Sequence, residues 1–186
     1  MNQEVTNTVK TLNNNGVILY PTDTVWGIGC LANNPEAIER IFQIKKRPDN
    51  KALICLFRDW DQVKNYFPGL NDIPKELISP DRPTSIIINN PVGLPEILHA
   101  GLNSLAIRIP NNDFCQKLLK HIDSPIVSTS ANISGEPTPT SKNLISDSIL
   151  EQMDYVVNLQ DDSQADVKPS RIVIIGENGE IRTIRD

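Results

Sequence analysis

Three groups of residues in this 186-residue chain have types and spacings that could do chemistry. The first is basic: Arg40, Lys45, Lys46, Arg47 and Lys51 put five cations within twelve residues. Cations suit the negative end of a helix dipole, so a solvated helix end is the plain explanation. The alternative is an anion clamp, with Arg47 offering a planar fork to phosphate or carboxylate and the lysines acting as point charges. The second group is Ser128, Ser130 and Asn132, at i, i+2 and i+4 directly after an apolar run. An extended backbone would aim all three to one side, at the strand end where open α/β sheets bind ligands. Ser104, Ala106 and Arg108 repeat the spacing one strand earlier. An arginine within an apolar strand is costly to bury unpaired, so Arg108 meets either a carboxylate of the protein or one of a ligand. In the third group Thr22 and Thr24 flank Asp23, which an Asx-type turn would explain by itself. The nearby Gly27 and Gly29 would let backbone lie close to a small ligand.

Other chemistries find little support. No GxxxxGK occurs, so a P-loop is absent. Gly27-Ile28-Gly29-Cys30-Leu31-Ala32 matches GxGxxA, but Pro-Thr-Asp-Thr precedes it instead of a buried strand, which argues against a dinucleotide fold. No GxSxG elbow exists and neither His99 nor His121 lies in a motif, so a hydrolase triad is unsupported. Cys30, Cys55 and Cys115 are far apart and form no CxxC, which predicts buried reduced thiols and no metal site. A net charge of -5 argues against a protein that coats nucleic acid over its whole surface.

The elements that would position these groups alternate. Residues 6–12 are weakly helical, with Gly16 suited to a left-handed cap, and 17–20 read as a strand. Residues 22–29 read as a functional loop, too polar for a buried strand. Asn34-Pro35 has the pattern of an N-cap followed by proline at the first helical position, and the helix it opens delivers the basic run to its C-terminus. Strands are predicted over 52–57, 84–88, 105–109, 125–128 and 155–159, and helices over 60–67, 74–78, 113–122 and 142–153. Residues 160–168 form an acidic flexible loop, and 171–175 with 180–184 a hairpin through Asn178-Gly179. Strands alternating with helices predict an α/β fold. The length suits a single domain over residues 1–186, and 39% apolar residues is an ordinary globular composition. No apolar stretch approaches the ~20 residues that span a bilayer, and residues 1–10 lack the apolar core of a secretion signal. A cytoplasmic location with no membrane partner is expected.

Taken in order, Tyr20-Pro-Thr-Asp-Thr-Val-Trp-Gly-Ile-Gly, Lys45-Lys-Arg-Pro, Leu105-Ala-Ile-Arg-Ile-Pro, Ser128-Thr-Ser-Ala-Asn-Ile-Ser-Gly and Pro169-Ser resemble the YrdC/TsaC family of threonylcarbamoyl-AMP synthases. Each motif alone is weak, but five in order over nearly the whole chain are specific. The resemblance implies a single-domain, twisted open mixed α/β sheet with flanking helices and a large concave cavity. It implies that L-threonine, bicarbonate and ATP give threonylcarbamoyl-AMP, pyrophosphate and water, with Mg2+ accompanying ATP. The adenylate would pass to a downstream tRNA threonylcarbamoyl transferase complex, so contact with tRNA would be indirect. By position, Thr24, Arg108, Ser128 and Ser170 match the threonine side. Lys45 and Arg47 match the KxR pair facing the phosphates and carry the catalytic role, with Lys51 beside them. Ser104, Ser130, Asn132, Thr138 and Arg185 match other nucleotide positions.

Some positions depart from the family pattern. Ser79-Pro80-Asp81-Arg82-Pro83-Thr84 replaces Trp-Pro-Gly-Pro-Leu-Thr, Leu56 stands where some relatives have a substrate-contacting histidine, and Asp186 follows Arg185 where relatives continue with glycine. The chemistry needs no protein nucleophile, because threonine's amine can attack carbon dioxide or bicarbonate and the carbamate can attack the α-phosphate. Aligning and neutralising remain for the protein. A non-catalytic RNA-binding module is the first rival, whose affinity would fall with salt and persist without ATP. A carbamoyl-adenylate enzyme like the YrdC-like part of hydrogenase maturation proteins is the second. Pyrophosphate release that depends on L-threonine separates all three.

Overall fold

A computed structural model describes residues 2–46, 53–70, 73, 77, 82–159, 169–176 and 180–186. The helices predicted over 74–78 and the acidic loop over 160–168 therefore lie outside the described residues, apart from Leu77. So do Arg47, Lys51, residues 79–81 and the Asn178-Gly179 turn. The chain forms α1 (Asn2–Asn13), β1 (Ile18–Tyr20), β2 (Gly27–Leu31), α2 (Pro35–Ile44), β3 (Ile54–Leu56), α3 (Trp60–Tyr66), β4 (Thr84–Asn89) and β5 (Ser104–Arg108). It continues through α4 (Asp113–Leu119), β6 (Ile126–Ser130), α5 (Asp147–Leu150), β7 (Tyr155–Val156), β8 (Arg171–Ile175) and β9 (Ile181–Arg185).

Among the described residues, nine strands join one mixed sheet in the order β7-β1-β2-β6-β3-β5-β4-β8-β9. β3 runs parallel to β5, and β4 parallel to β8, while β6 lies antiparallel to both of its neighbours. β5 and β6 follow each other in sequence, yet β3 lies between them. This mixed α/β sheet with flanking helices is the expected fold class.

Local chemistry explains the boundaries. Asn34 opens α2, its Oδ1 accepting from the Ala37 amide at 3.1 Å with Pro35 at the first turn. α1 ends in a Schellman arrangement, with Gly16 N donating to Thr11 O at 2.9 Å and Asn15 N to Leu12 O at 3.0 Å. The left-handed residue is Asn15, at φ 63°, and not the expected Gly16. Gly16 is required instead by close approach, since a Cβ there would lie 2.8 Å from Thr11 O. The helix expected over 142–153 is broken into a 3-10 turn at Lys142–Leu144 and the single turn of α5.

The sheet has two differently used faces. On one, Ile28, Cys30, Val127, Cys55, Ile107 and Ile86 are buried against Ile38 and Ile41 of α2, Val63 of α3 and Leu98. The cysteines there, like Cys115 on α4, are buried free thiols, and burial pushes all three upward in pKa. On the other face only part is roofed. Ile18, Tyr20, Leu56 and Ile126 lie under Val5 and Leu12 of α1 and Phe114, Leu118 and Leu119 of α4. Leu56 is thus fully buried core. Among the described residues no helix covers the remainder of that face, which forms the wall of a cavity.

Candidate active site

The cavity follows from the sheet register. Along the open face, Gly29 pairs with Ser128, Ser128 with Ile54, Ile54 with Ala106, and Ala106 with Ile87. Ser128 and Ala106 keep the floor low on either side of the larger Ile54. The space above has a volume of about 350 Å³ and is lined by Thr24, Arg108, Ser128 and Ser170, with Ser130, Thr138 and Arg185 around them. Seven residues singled out from sequence therefore converge on one concavity, though they come from β6, β5, β9 and three separate loops.

Arg108 sits where the roofed and open parts meet. Its guanidinium is buried, 6% exposed, and Nη2 lies 3.1 Å from Asp23 Oδ1, itself 5% exposed. Nη2 also donates to Thr24 Oγ1 at 3.3 Å, while Nε is buried with no hydrogen bond. The open alternative for Arg108 thus has a protein answer, the carboxylate of Asp23. Sequence reasoning missed this pairing, because an acid between two threonines and an arginine 85 positions later show no pattern that joins them. The Thr22-to-Val25 loop is self-bonded: Thr22 Oγ1 donates to Val25 O at 2.8 Å and accepts from Thr24 N at 3.1 Å.

Gly27 and Gly29 belong to β2, which corrects the reading of residues 22–29 as loop throughout. Their role is to seat Tyr20. A Cβ on Gly29 would meet the Tyr20 ring at 2.8 Å and Val127 O at 2.5 Å, and one on Gly27 would meet Ser128 Oγ at 3.1 Å. The GxG pattern therefore accommodates an aromatic ring inside the sheet. Tyr20 is wholly buried, and desolvation holds its phenol well above the ordinary range, reinforced by Cys115 and opposed by Ser128 and Arg108.

On the far side, Ser170 Oγ lies 2.9 Å from Ser85 Oγ, and its carbonyl accepts from Arg185 Nε at 3.1 Å and Nη2 at 2.8 Å. Arg185 is thereby anchored although it is the penultimate residue. Its pKa is lowered, first by burial and then by the like charge of Arg108. Ser130 Oγ donates to Asn132 Oδ1 at 2.5 Å, and the Asn132 amide donates to Glu136 O at 2.8 Å. β6 ends at Ser130, so Asn132 does not continue the row of side chains but braces the loop after it. Ser104 shares the cavity face of β5 without being among the lining residues, and Asn132 is likewise outside them.

Lys45 ends α2, and Lys46 at φ 48° turns the chain away. The Lys45 side chain is 2% exposed, and Nζ donates to the Ser130 carbonyl and, at 2.6 Å, to Asn132 O. It therefore lies beneath the Ser130-to-Asn132 rim and is not a lining residue. Among the described residues no group of three His, Cys, Asp or Glu could hold a metal ion. A smaller cavity of about 250 Å³, lined by Asp23, Trp60, Ile107, Pro110 and Gln116, adjoins the other side of Arg108.

The family model described as "Telomere recombination", for Sua5, YciO and YrdC, matches residues 10–186. The chain belongs to the Sua5/YciO/YrdC family. Among its relatives is the threonylcarbamoyl-AMP synthase of Photobacterium profundum, 35% identical over 133 residues, which are 69% of this chain and 72% of that protein. The Escherichia coli K12 protein of the same name is 34% identical over 69% of this chain and 70% of its own. A Methanocaldococcus jannaschii protein provisionally given that name is 32% identical over 95% of this chain and 82% of its own. Solved structures share the fold. P. abyssi Sua5 complexed with L-threonine superposes with a TM-score of 0.79 at 23% identity, over 94% of this chain and 51% of that one. E. coli YciO superposes with a TM-score of 0.81 at 23% identity, over 100% and 90%. This family member thus spans about half the length of P. abyssi Sua5.

Proposed function

We propose that the protein is a threonylcarbamoyl-AMP synthase, a nucleotidyltransferase that joins L-threonine, bicarbonate and ATP. The observation that carries the reading is the convergence of a buried arginine, five hydroxyls and a second arginine on one cavity of a size for small molecules. The names of the relatives support it. Arg108 with Thr24, Ser128 and Ser170 would hold the amino acid, its carboxylate on the guanidinium. Ser130, Thr138 and Arg185 would face the nucleotide, with Ser104 and Asn132 at its edge, and Arg47 with Lys51 beside it would take the phosphate-facing role that the family resemblance implies, Arg47 as a catalytic residue.

Threonine's amine attacks carbon dioxide or bicarbonate to form a carbamate, and a carbamate oxygen then attacks the α-phosphorus while pyrophosphate leaves. No covalent bond to the protein is needed. Positioning the two substrates in one cavity supplies the entropic part of the acceleration. Fixed positive charge stabilises the leaving pyrophosphate. Lys45 would act from below, its ammonium holding the Ser130 and Asn132 carbonyls while its charge adds to the field at the phosphates. ATP would enter as its magnesium complex, the ion offsetting phosphate charge alongside these cations. The product adenylate is reactive and would be handed to a tRNA-modifying transferase complex in the cytoplasm. No helix among the described residues is long and apolar enough to cross a membrane.

The test is pyrophosphate release by purified protein given ATP, L-threonine and bicarbonate. Release should require all three. Release without threonine, or none under any combination, would contradict the assignment.

A further inference from the structure

The Asp23 side chain is buried, lies in the wall of the smaller cavity and pairs with Arg108, the group assigned to the substrate carboxylate. Asp23 Oδ1 stands 3.1 Å from Arg108 Nη2, and Oδ2 accepts from the Asn111 amide at 3.3 Å. The carboxylate is thus fixed behind the guanidinium, in the wall of the smaller cavity, while Arg108 lines both. Charge pairing in the protein interior is little screened by salt, so such a charge is felt by any ligand at the far side of Arg108.

We propose that Asp23 is a specificity-determining residue: paired with Arg108, it offsets one of the two guanidinium charges at the amino-acid end of the cavity and so favours a zwitterionic α-amino acid over a carboxylic acid lacking the α-amine. This rests on the assignment of threonine to that end. An unpaired Arg108 would attract any carboxylate and would repel the ammonium that accompanies it in threonine. With Asp23 in place, attraction for a bare anion is weakened, while the ammonium sees a compensated pair. Arg185, anchored on the Ser170 carbonyl, is common to wild type and Asp23→Asn, so its effect on each ligand cancels when the two proteins are compared. The change on Asp23→Asn in the difference between an amino acid and its amine-free analogue therefore reads the interaction of the ammonium with Asp23.

The experiment titrates L-threonine and 2,3-dihydroxybutyrate, which is threonine with a hydroxyl for the amine, into wild type and Asp23→Asn by calorimetry. The KM for ATP is measured in parallel. Wild type should bind threonine at least a hundredfold more tightly than the hydroxy acid. Asp23→Asn should narrow that ratio tenfold or more, with the KM for ATP changed less than threefold. An unchanged ratio in a folded variant overturns the role, as does an equal rise in KM for threonine and ATP, which would mark a merely structural residue. Should Asp23→Asn not fold, wild type alone decides: a hydroxy acid bound within tenfold of threonine overturns the role. Wild type that binds neither ligand overturns instead the assignment of the site to threonine.

Discussion

Two parts of one sheet face meet opposite fates within two residues. At Ile126 on β6 and Leu56 on β3 the face is roofed by α4, whereas at Ser128 and Ile54, one pleat away on the same strands, it is open to a cavity. The backbone hydrogen-bonding is continuous across both. What differs is the side chains: Ile18, Leu56 and Ile126 offer a contiguous apolar surface that helices bury, while Ser128 and Ala106 offer almost none and leave Ile54 and Ile87 as the apolar part of the cavity floor. Burial of apolar area is what holds a helix onto a sheet. The cavity lies where the sequence, at Ser128 and Ala106, withholds that area. Arg108 stands on the boundary, close enough to the roofed part to be buried and close enough to the open part to meet a ligand.

The sharpest way to break this contrast is at the boundary. Arg108→Ala leaves Asp23 buried without its guanidinium, and removing one partner of such a pair costs about 3–5 kcal/mol. Denaturant unfolding should show that loss, and threonine-dependent pyrophosphate release should disappear. Replacing both residues, Arg108→Ala with Asp23→Asn, should recover most of the stability and none of the turnover. The two parts of the face should then separate cleanly under matched truncations. Leu118→Ala in the roofed part should cost about 2–5 kcal/mol and leave the KM for threonine within threefold. Ser128→Ala should cost no more than about 1 kcal/mol while raising that KM tenfold or more. If both variants moved stability alike, the division would fail. The smallest effect concerns how the roof is held: Asn112 Oδ1 accepts from the Cys115 amide at 2.9 Å and caps α4. Asn112→Ala should lower stability by about 1 kcal/mol with turnover unaltered, read from thermal unfolding and the pyrophosphate assay.

Much of this was legible beforehand, and what was not has physical causes. The N-cap at Asn34-Pro35, the β-branched run 84–88 and the 171–175 with 180–184 pairing signal themselves locally, and each appears in the structure. Thr24, Arg108, Ser128 and Ser170 were found through motif order, and they do line one cavity. The strand through Gly27 to Leu31 was hidden because glycine carries no apolar pattern, and its purpose, a seat for the Tyr20 ring, depends on a neighbouring strand. The Asp23 to Arg108 pair is long-range and leaves no trace in spacing. Lys45 was legible as a cation at a helix end, but not as one turned inward onto two carbonyls of another element.

The central claim is that a single open stretch of sheet holds both substrates together. A crystal structure with L-threonine and a non-hydrolysable ATP analogue bound tests it most directly. Both ligands should occupy the 350 Å³ cavity, with the threonine carboxylate on Arg108 and the nucleotide beside Ser130 and Arg185. Threonine and nucleotide on opposite faces of the sheet, or either one bound away from Arg108 and Ser128, would contradict it.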